Sequence, residues 1–242
     1  MEDIFAALEF EDVEVGSFRF RFPLRYFDYS LIGASFPVPV ANLQNVLPSK
    51  KLIPIETTPG VSTVLLIATE NRVVDCLKPY NEFDVMVPIR YETADGSGVS
   101  AYYCLYIPVT TKEALVGGVE IYGYPKFLAD IGFEETDETR RCWVRSEGKD
   151  IITLEVRKSV TELVSYQLYL YSVKGEHLLR ALYKVQGQSS TDNVTGGASL
   201  ILGDHHVAGE LKALEMGNTS VMHEYAPKRK SLLHLPGERL PL

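Results

Sequence analysis

Apolar and polar residues alternate with a period of two along most of this chain, which is the spacing of a sheet face and not of a helix. Phe18, Phe20 and Phe22 alternate with Arg19 and Arg21. Residues 61–69 form a β-branched run, and 83–93 and 99–109 are rich in Val, Ile and Tyr. Turn residues separate paired runs. Asp95-Gly96 joins 83–93 to 99–109, Gly148-Lys149 joins 139–146 to 151–159, and Gly175 joins 168–173 to 177–186. Links this short make hairpins, so the strands are expected to be mostly antiparallel. Many long antiparallel strands in one unit predict a closed or nearly closed barrel.

Three segments have helical spacing. Residues 39–47 carry Val40, Leu43, Val46 and Leu47 on one side. Residues 110–116 follow a threonine cap. Residues 204–216 offer Asp204 as N-cap, a stripe of Val207, Leu211 and Leu214, and Gly217 beyond the end. The class is therefore α+β and β-rich, with a few flanking helices. The polar stretch 186–197 reads as a long surface loop. No repeat or linker divides the chain, so residues 1–242 are read as one domain.

The formal net charge is −8 and the pI about 5.2, which argues against a nucleic-acid partner. The short basic run Lys228-Arg229-Lys230 reads as solvated surface. Cys76, Cys104 and Cys142 form no Cys-x-x-Cys pair, so neither a zinc ribbon nor a redox dithiol is encoded. The Met-Glu-Asp start lacks a basic region before an apolar core, and no run reaches the ~18–20 apolar residues of a membrane span. The expectation is a cytoplasmic protein with no membrane partner. His205 and His206 are adjacent, so their side chains should diverge on a helix. They are expected at its N-terminus and not on a metal.

The stretch with the most chemistry in it is Gly117-Gly-Val-Glu-Ile-Tyr-Gly-Tyr-Pro-Lys126-Phe127. Glu-x-x-x-Tyr-Pro-Lys after glycine and a short helix resembles the active-site segment of the acetoacetate decarboxylase family. Tyr80-Asn-Glu82, followed by Pro88, resembles that family's Tyr-x-Glu segment. The helix ending Val46-Leu47-Pro48, the stretch 200–208 and Tyr225-Ala-Pro227 resemble further elements of it. The resemblance spans roughly residues 15–240. It implies a cone-shaped antiparallel barrel, a homo-oligomer, no cofactor, and a lysine, Lys126, that forms a Schiff base.

The chemistry explains why such a lysine must be special. An ordinary lysine amine is neutral in only about one molecule in 2,500 at pH 7, and only the neutral amine attacks a ketone. Lowering its pKa by about three to four units costs roughly 4–5 kcal/mol, which full burial can supply. Lysine activation by an apolar pocket or a second cation has acetoacetate decarboxylase as its standing example. Phe127 stands where the family's best-known members carry a second lysine, so desolvation is left to do this, with Phe127, Tyr122 and Tyr124 as apolar surface. Pro125 restricts the backbone just before the amine.

By the resemblance, Glu82 is the general acid or base, or a group that orients the substrate. Glu120 and Tyr225 are expected in the substrate pocket, and Arg25 is the nearest candidate for an early arginine that reads a carboxylate. A second pocket glutamate is expected along 64–66, where the chain has Val-Leu-Leu. The expected function is a Schiff-base lyase that decarboxylates a small-molecule oxo acid, a β-keto acid such as acetoacetate. The alternatives are aldolase-dehydratase chemistry on a larger oxo acid, or an inactive binder.

Overall fold

The computed structural model describes residues 2–92 and 98–242. The elements run β1 (Glu11–Val15), β2 (Phe18–Phe22), β3 (Leu24–Pro39), α1 (Val40–Val46), β4 (Leu52–Pro54), β5 (Val61–Val74), β6 (Tyr80–Glu92), β7 (Gly98–Val109) and α2 (Lys112–Tyr122). Then follow β8 (Lys126–Leu128), β9 (Asp130–Glu135), β10 (Thr139–Ser146), β11 (Lys149–Arg157), β12 (Glu162–Lys174), β13 (His177–Asp192), β14 (Ala198–Leu202), α3 (His206–Ala213), β15 (Met222–Leu233) and β16 (Glu238–Pro241). The β-rich α+β expectation holds. The expected Asp95-Gly96 turn lies outside the described residues.

Seven strands close a ring in the order β6-β5-β3-β15-β13-β12-β7, with β7 pairing back to β6. Every pairing in the ring is antiparallel except one: β12 meets β7 in parallel through Leu170 opposite Tyr102 and Tyr171 opposite Tyr103. β8 extends β7, again in parallel. A separate sheet, β14-β11-β10-β9, covers part of the barrel's outer face.

The period-two alternation sorts side chains into two cores. On β3, Ile32, Ala34, Phe36 and Val38 point outward, into a core shared with the second sheet, α1 and α3. Tyr29 and Leu31, on the other face, point into the barrel with Leu65 and Met86. β1 and β2 form a hairpin that closes against α2, with Phe20 and Phe22 buried and Arg19 and Arg21 outside.

Four local expectations need correction. α2 is longer than 110–116. Thr111 caps it, accepting a hydrogen bond from the Ala114 amide, and the helix continues through Gly117-Gly118. Those glycines are unfavourable for a helix, but a Cβ on Gly117 would lie 2.7 Å from the Phe20 ring. The cap of α3 is His205, not Asp204, and Glu215, not Gly217, takes the left-handed position after the helix. The rings of His205 and His206 do not diverge: their centroids are 4.1 Å apart. Finally, 186–192 is strand and not loop, because β13 pairs with both β12 and β15 there. Its polar residues misled the sequence reading: Ser189 is buried against the Glu224 and Arg229 side chains.

Two buried histidines make stability depend on pH. His205 is 3% exposed, and its Nδ1 accepts the Val207 amide hydrogen, which requires the neutral ring. Burial, then the neighbouring His206, lowers its pKa. Burial also lowers that of His223, against the pull of Asp192. Both folded pKa values lie below the unfolded value of about 6.5, so this stability is present above that pH and is lost as pH falls. The thermal midpoint is expected to drop on going from about pH 7.5 to 5.5. His223→Gln should flatten that slope, and an unchanged slope would refute the assignment.

Candidate active site

Lys126 reaches the barrel interior by a short path that the local sequence dictates. α2 stops at Gly123, whose φ of 64° suits a residue without a Cβ. A Cβ there would meet the Val173 carbonyl oxygen at 2.4 Å. The Gly123 amide donates back to the Val119 carbonyl at 3.0 Å and the Tyr124 amide to that of Gly118 at 3.1 Å. After Pro125 the chain enters β8, where Lys126 lies opposite Ile107 of β7. In a strand this short, alternation settles the facing. Lys126 points inward. Phe127 points the other way, with its ring stacked 6.5 Å from that of His205. Phe127 therefore does not shape the lysine's surroundings, contrary to expectation.

The Lys126 side chain is 7% exposed and its Nζ donates to the Glu82 carboxylate in a direct ion pair. The rings of Tyr80 and Tyr124 lie 5.9 and 6.0 Å from Nζ, at the edge of cation–π range. Lys126 lines two cavities. The larger, about 100 Å³, fills the barrel. On the same measure a single water needs about 10–15 Å³, so this space is ligand-sized. The smaller, about 30 Å³, lies under β2 and α2.

A second carboxylate faces the same cavity. Asp84 sits two residues after Glu82 on β6, so both project inward from one face. Burial, reinforced by the Glu82 charge and opposed by Lys126, raises the Asp84 pKa well above the ordinary carboxylate range. Asp84 thus takes up a proton more readily than an ordinary carboxylate, beside the Lys126–Glu82 pair. The place expected for a second glutamate, 64–66, is apolar as the sequence says: Val64 and Leu66 face the outer core, and Leu65 the barrel.

The cavity's arginine is not Arg25. Arg25 is paired with Asp75, at 2.5 Å, and stacked near Phe10 and Phe27 at the barrel's end, away from the cavity lining. Arg229 of β15 lines the cavity instead. It is 3% exposed, which overturns the solvated reading of 228–230. Lys228 is exposed and Lys230 reaches Asp3 at 2.7 Å, so strand alternation puts only the middle residue inside. Burial works against the Arg229 charge, but the Glu224 carboxylate beside it prevails and raises its pKa.

Glu120 and Tyr225 stay outside the cavity as well. Glu120 is exposed on α2, where its backbone carbonyl accepts from Lys174. Tyr225 reaches Glu135 at 3.4 Å and lies 5.9 Å from Lys158. Asp84 and Arg229 are the two charged cavity residues that the sequence did not point to as part of the site. The signal for Asp84 was present in the two-residue step from Glu82, and that for Arg229 in the alternation of 228–230. Among the described residues, no group of three or more His, Cys, Asp or Glu is placed to hold a metal ion. None of the described helices is long and apolar enough to cross a membrane.

The sequence model of the acetoacetate decarboxylase (ADC) family matches residues 16–234. The chain belongs to the acetoacetate decarboxylase family. Solved structures agree on the fold. An acetoacetate decarboxylase superposes with a TM-score of 0.69 at 15% identity, covering 90% of this chain and 89% of its own. The acetoacetate decarboxylase of Legionella pneumophila subsp. pneumophila str. Philadelphia 1 gives 0.66 at 18% identity, with coverage of 90% and 87%. The enduracididine biosynthesis enzyme MppR gives 0.64 at 15%, with coverage of 90% and 87%. A search of curated proteins finds no match. Inside the barrel of this family member a lysine and a carboxylate are joined, and the arginine that lines the cavity stands on β15.

Proposed function

We propose that this chain, acting as one domain, is an imine-forming enzyme that releases CO₂ from a β-keto acid. The observation that carries the reading is the buried ion pair of Lys126 and Glu82, with Asp84 on the same strand face. Transfer of the Nζ proton to Glu82 leaves a neutral amine in a site that excludes bulk water. The amine adds to the substrate ketone, and Asp84 gives its proton to the departing hydroxyl. Water leaves and an iminium forms. The carboxylate β to that iminium departs as CO₂, its bonding pair passes to the nitrogen, and the enamine carbon takes a proton from a cavity acid. Hydrolysis consumes the water released earlier and frees the amine. The sum is a β-keto carboxylate plus a proton giving a ketone plus CO₂.

Relatedness to acetoacetate decarboxylases supports this reading. A structure of MppR is a complex with pyruvate, which supports oxo-acid binding in this fold and not the release of CO₂. The test is borohydride reduction in the presence of acetoacetate or pyruvate, followed by intact-mass and peptide analysis. An adduct on Lys126 together with CO₂ release is expected. An adduct without CO₂ from any β-keto acid would point to aldol-type chemistry, and no adduct with any small oxo acid would point to a binder.

A further inference from the structure

The cavity has a second polar end that imine chemistry does not use. At one end stand Lys126, Glu82 and Asp84. At the other stands Arg229, whose Nη2 donates both to the Glu224 carboxylate and to Ser189. Its Nε–H is buried without an acceptor. The rest of the wall is mainly apolar, with Ile67, Met86, Leu168 and Leu170, interrupted by Thr69 and Asn71. Two tyrosine pairs stand side by side in the barrel, with the Tyr26 and Tyr29 rings 6.4 Å apart. The Tyr26 hydroxyl lies 3.2 Å from that of Tyr80, beside Lys126. The Tyr183 hydroxyl donates to Ser231 at 2.7 Å and lies 3.4 Å from that of Tyr29, the residue opposite Arg229 in the β15–β3 ladder.

A guanidinium keeps its charge at any working pH and presents its donors in a planar fork that suits carboxylates. Glu224 and Ser189 hold one nitrogen of that fork and fix its orientation, while the Nε–H has nothing to bond. A buried donor without an acceptor calls for a partner, and this one belongs to a residue that lines the cavity. The charges in the cavity also allow an anion there. Glu82 is paired with Lys126, and Arg229 is the other cation that lines the cavity.

We infer that Arg229 binds a second carboxylate, remote from the reacting ketone, so that the substrate class is a straight-chain β-keto dicarboxylate. This rests on the imine reading for its chemistry but not for its binding. The carboxylate β to the imine leaves as CO₂, with its electron pair passing to the iminium and a proton taken up at the enamine carbon. The remote carboxylate stays bound to Arg229 and is unchanged, and the methylenes between lie along the apolar wall. The product is a methyl-keto monocarboxylate.

The test compares β-ketoadipate, its remote methyl ester and β-ketohexanoate by CO₂ release. In the wild-type protein the diacid is expected to exceed both others at least tenfold in kcat/KM. In the double variant Glu224→Gln, Arg229→Met, which leaves no lone buried charge, the ratio should fall to near one. Calorimetry with the ketone-free pair adipate and hexanoate separates this inference from the imine reading. Adipate binding in preference to hexanoate, lost in the double variant, supports the Arg229 site even if no CO₂ is released. Equal handling of acid, ester and alkyl ends, or a preference that survives in the double variant, overturns it.

Discussion

Lys126→Arg is expected to lose the borohydride-trapped adduct completely and to lower kcat for CO₂ release by at least about 10⁴-fold. The size of the effect follows from the amine's role. A guanidinium stays protonated and cannot add to a ketone, so the covalent route is gone and only binding and electrostatics remain. Arginine is the informative replacement because it keeps a cation beside Glu82. Removing the charge altogether would strand a carboxylate whose side chain is only 16% exposed, and loss of folding would then confuse the result. Lys126→Met with Glu82→Gln is the neutral counterpart and should behave the same way. An adduct retained at full yield in Lys126→Arg would place the nucleophile elsewhere.

Gly118→Ala should separate activity from stability. Gly118 lies on the last turns of α2, and a Cβ at that position would sit 2.3 Å from Cδ and 2.5 Å from Cε of Lys126. The absent side chain is the channel through which the lysine passes. Alanine favours a helix over glycine by roughly 0.8–1 kcal/mol, whereas overpacking costs about 1–3 kcal/mol. The urea midpoint is therefore expected to move only modestly. The amine has no such latitude. Its stem is buried and must shift, and a displacement on the order of 1 Å costs about 10²-fold in rate. The expected result is a fall in kcat and in the rate of adduct formation by about 10²-fold in a folded protein. An unchanged rate would show that the lysine does not need this path.

Both predictions concern a residue that the linear sequence already marks. The run Glu120-Ile-Tyr-Gly-Tyr-Pro-Lys126 carries its own geometry: a glycine that ends the helix, a proline that restricts the next step, and a lysine at the first strand position. Local conformational limits act within a few residues, so they can be read in order along the chain. The same holds for the strands. Phe18-Arg-Phe-Arg-Phe22 and the hairpin at Gly148 follow from side-chain alternation and turn chemistry, and the structure has them as β2 and as the β10–β11 link. The buried stripe of Val207, Leu211 and Leu214 was likewise legible from spacing alone.

Other features depend on closure of the barrel. Gln186–Asp192 looks like a loop because its residues are polar, and polarity signals solvent only when nothing polar waits inside. Here β15 brings Arg229 and Glu224 to the same place, so a polar strand is buried. The two arginines show the same limit. Arg25 and Arg229 are 204 positions apart along the chain, and alternation shows that Arg229 can face inward but not that it meets the cavity of Lys126. Asp75 takes the first and the seven-strand ring turns the second inward. The sequence by itself determined most of the strands and helices and singled out Lys126, because each of these rests on neighbours within a few residues. Only the tertiary structure decided which carboxylate and which arginine share the lysine's cavity. Burial and Coulomb interaction depend on distance in space, and that distance is set once the strands have closed.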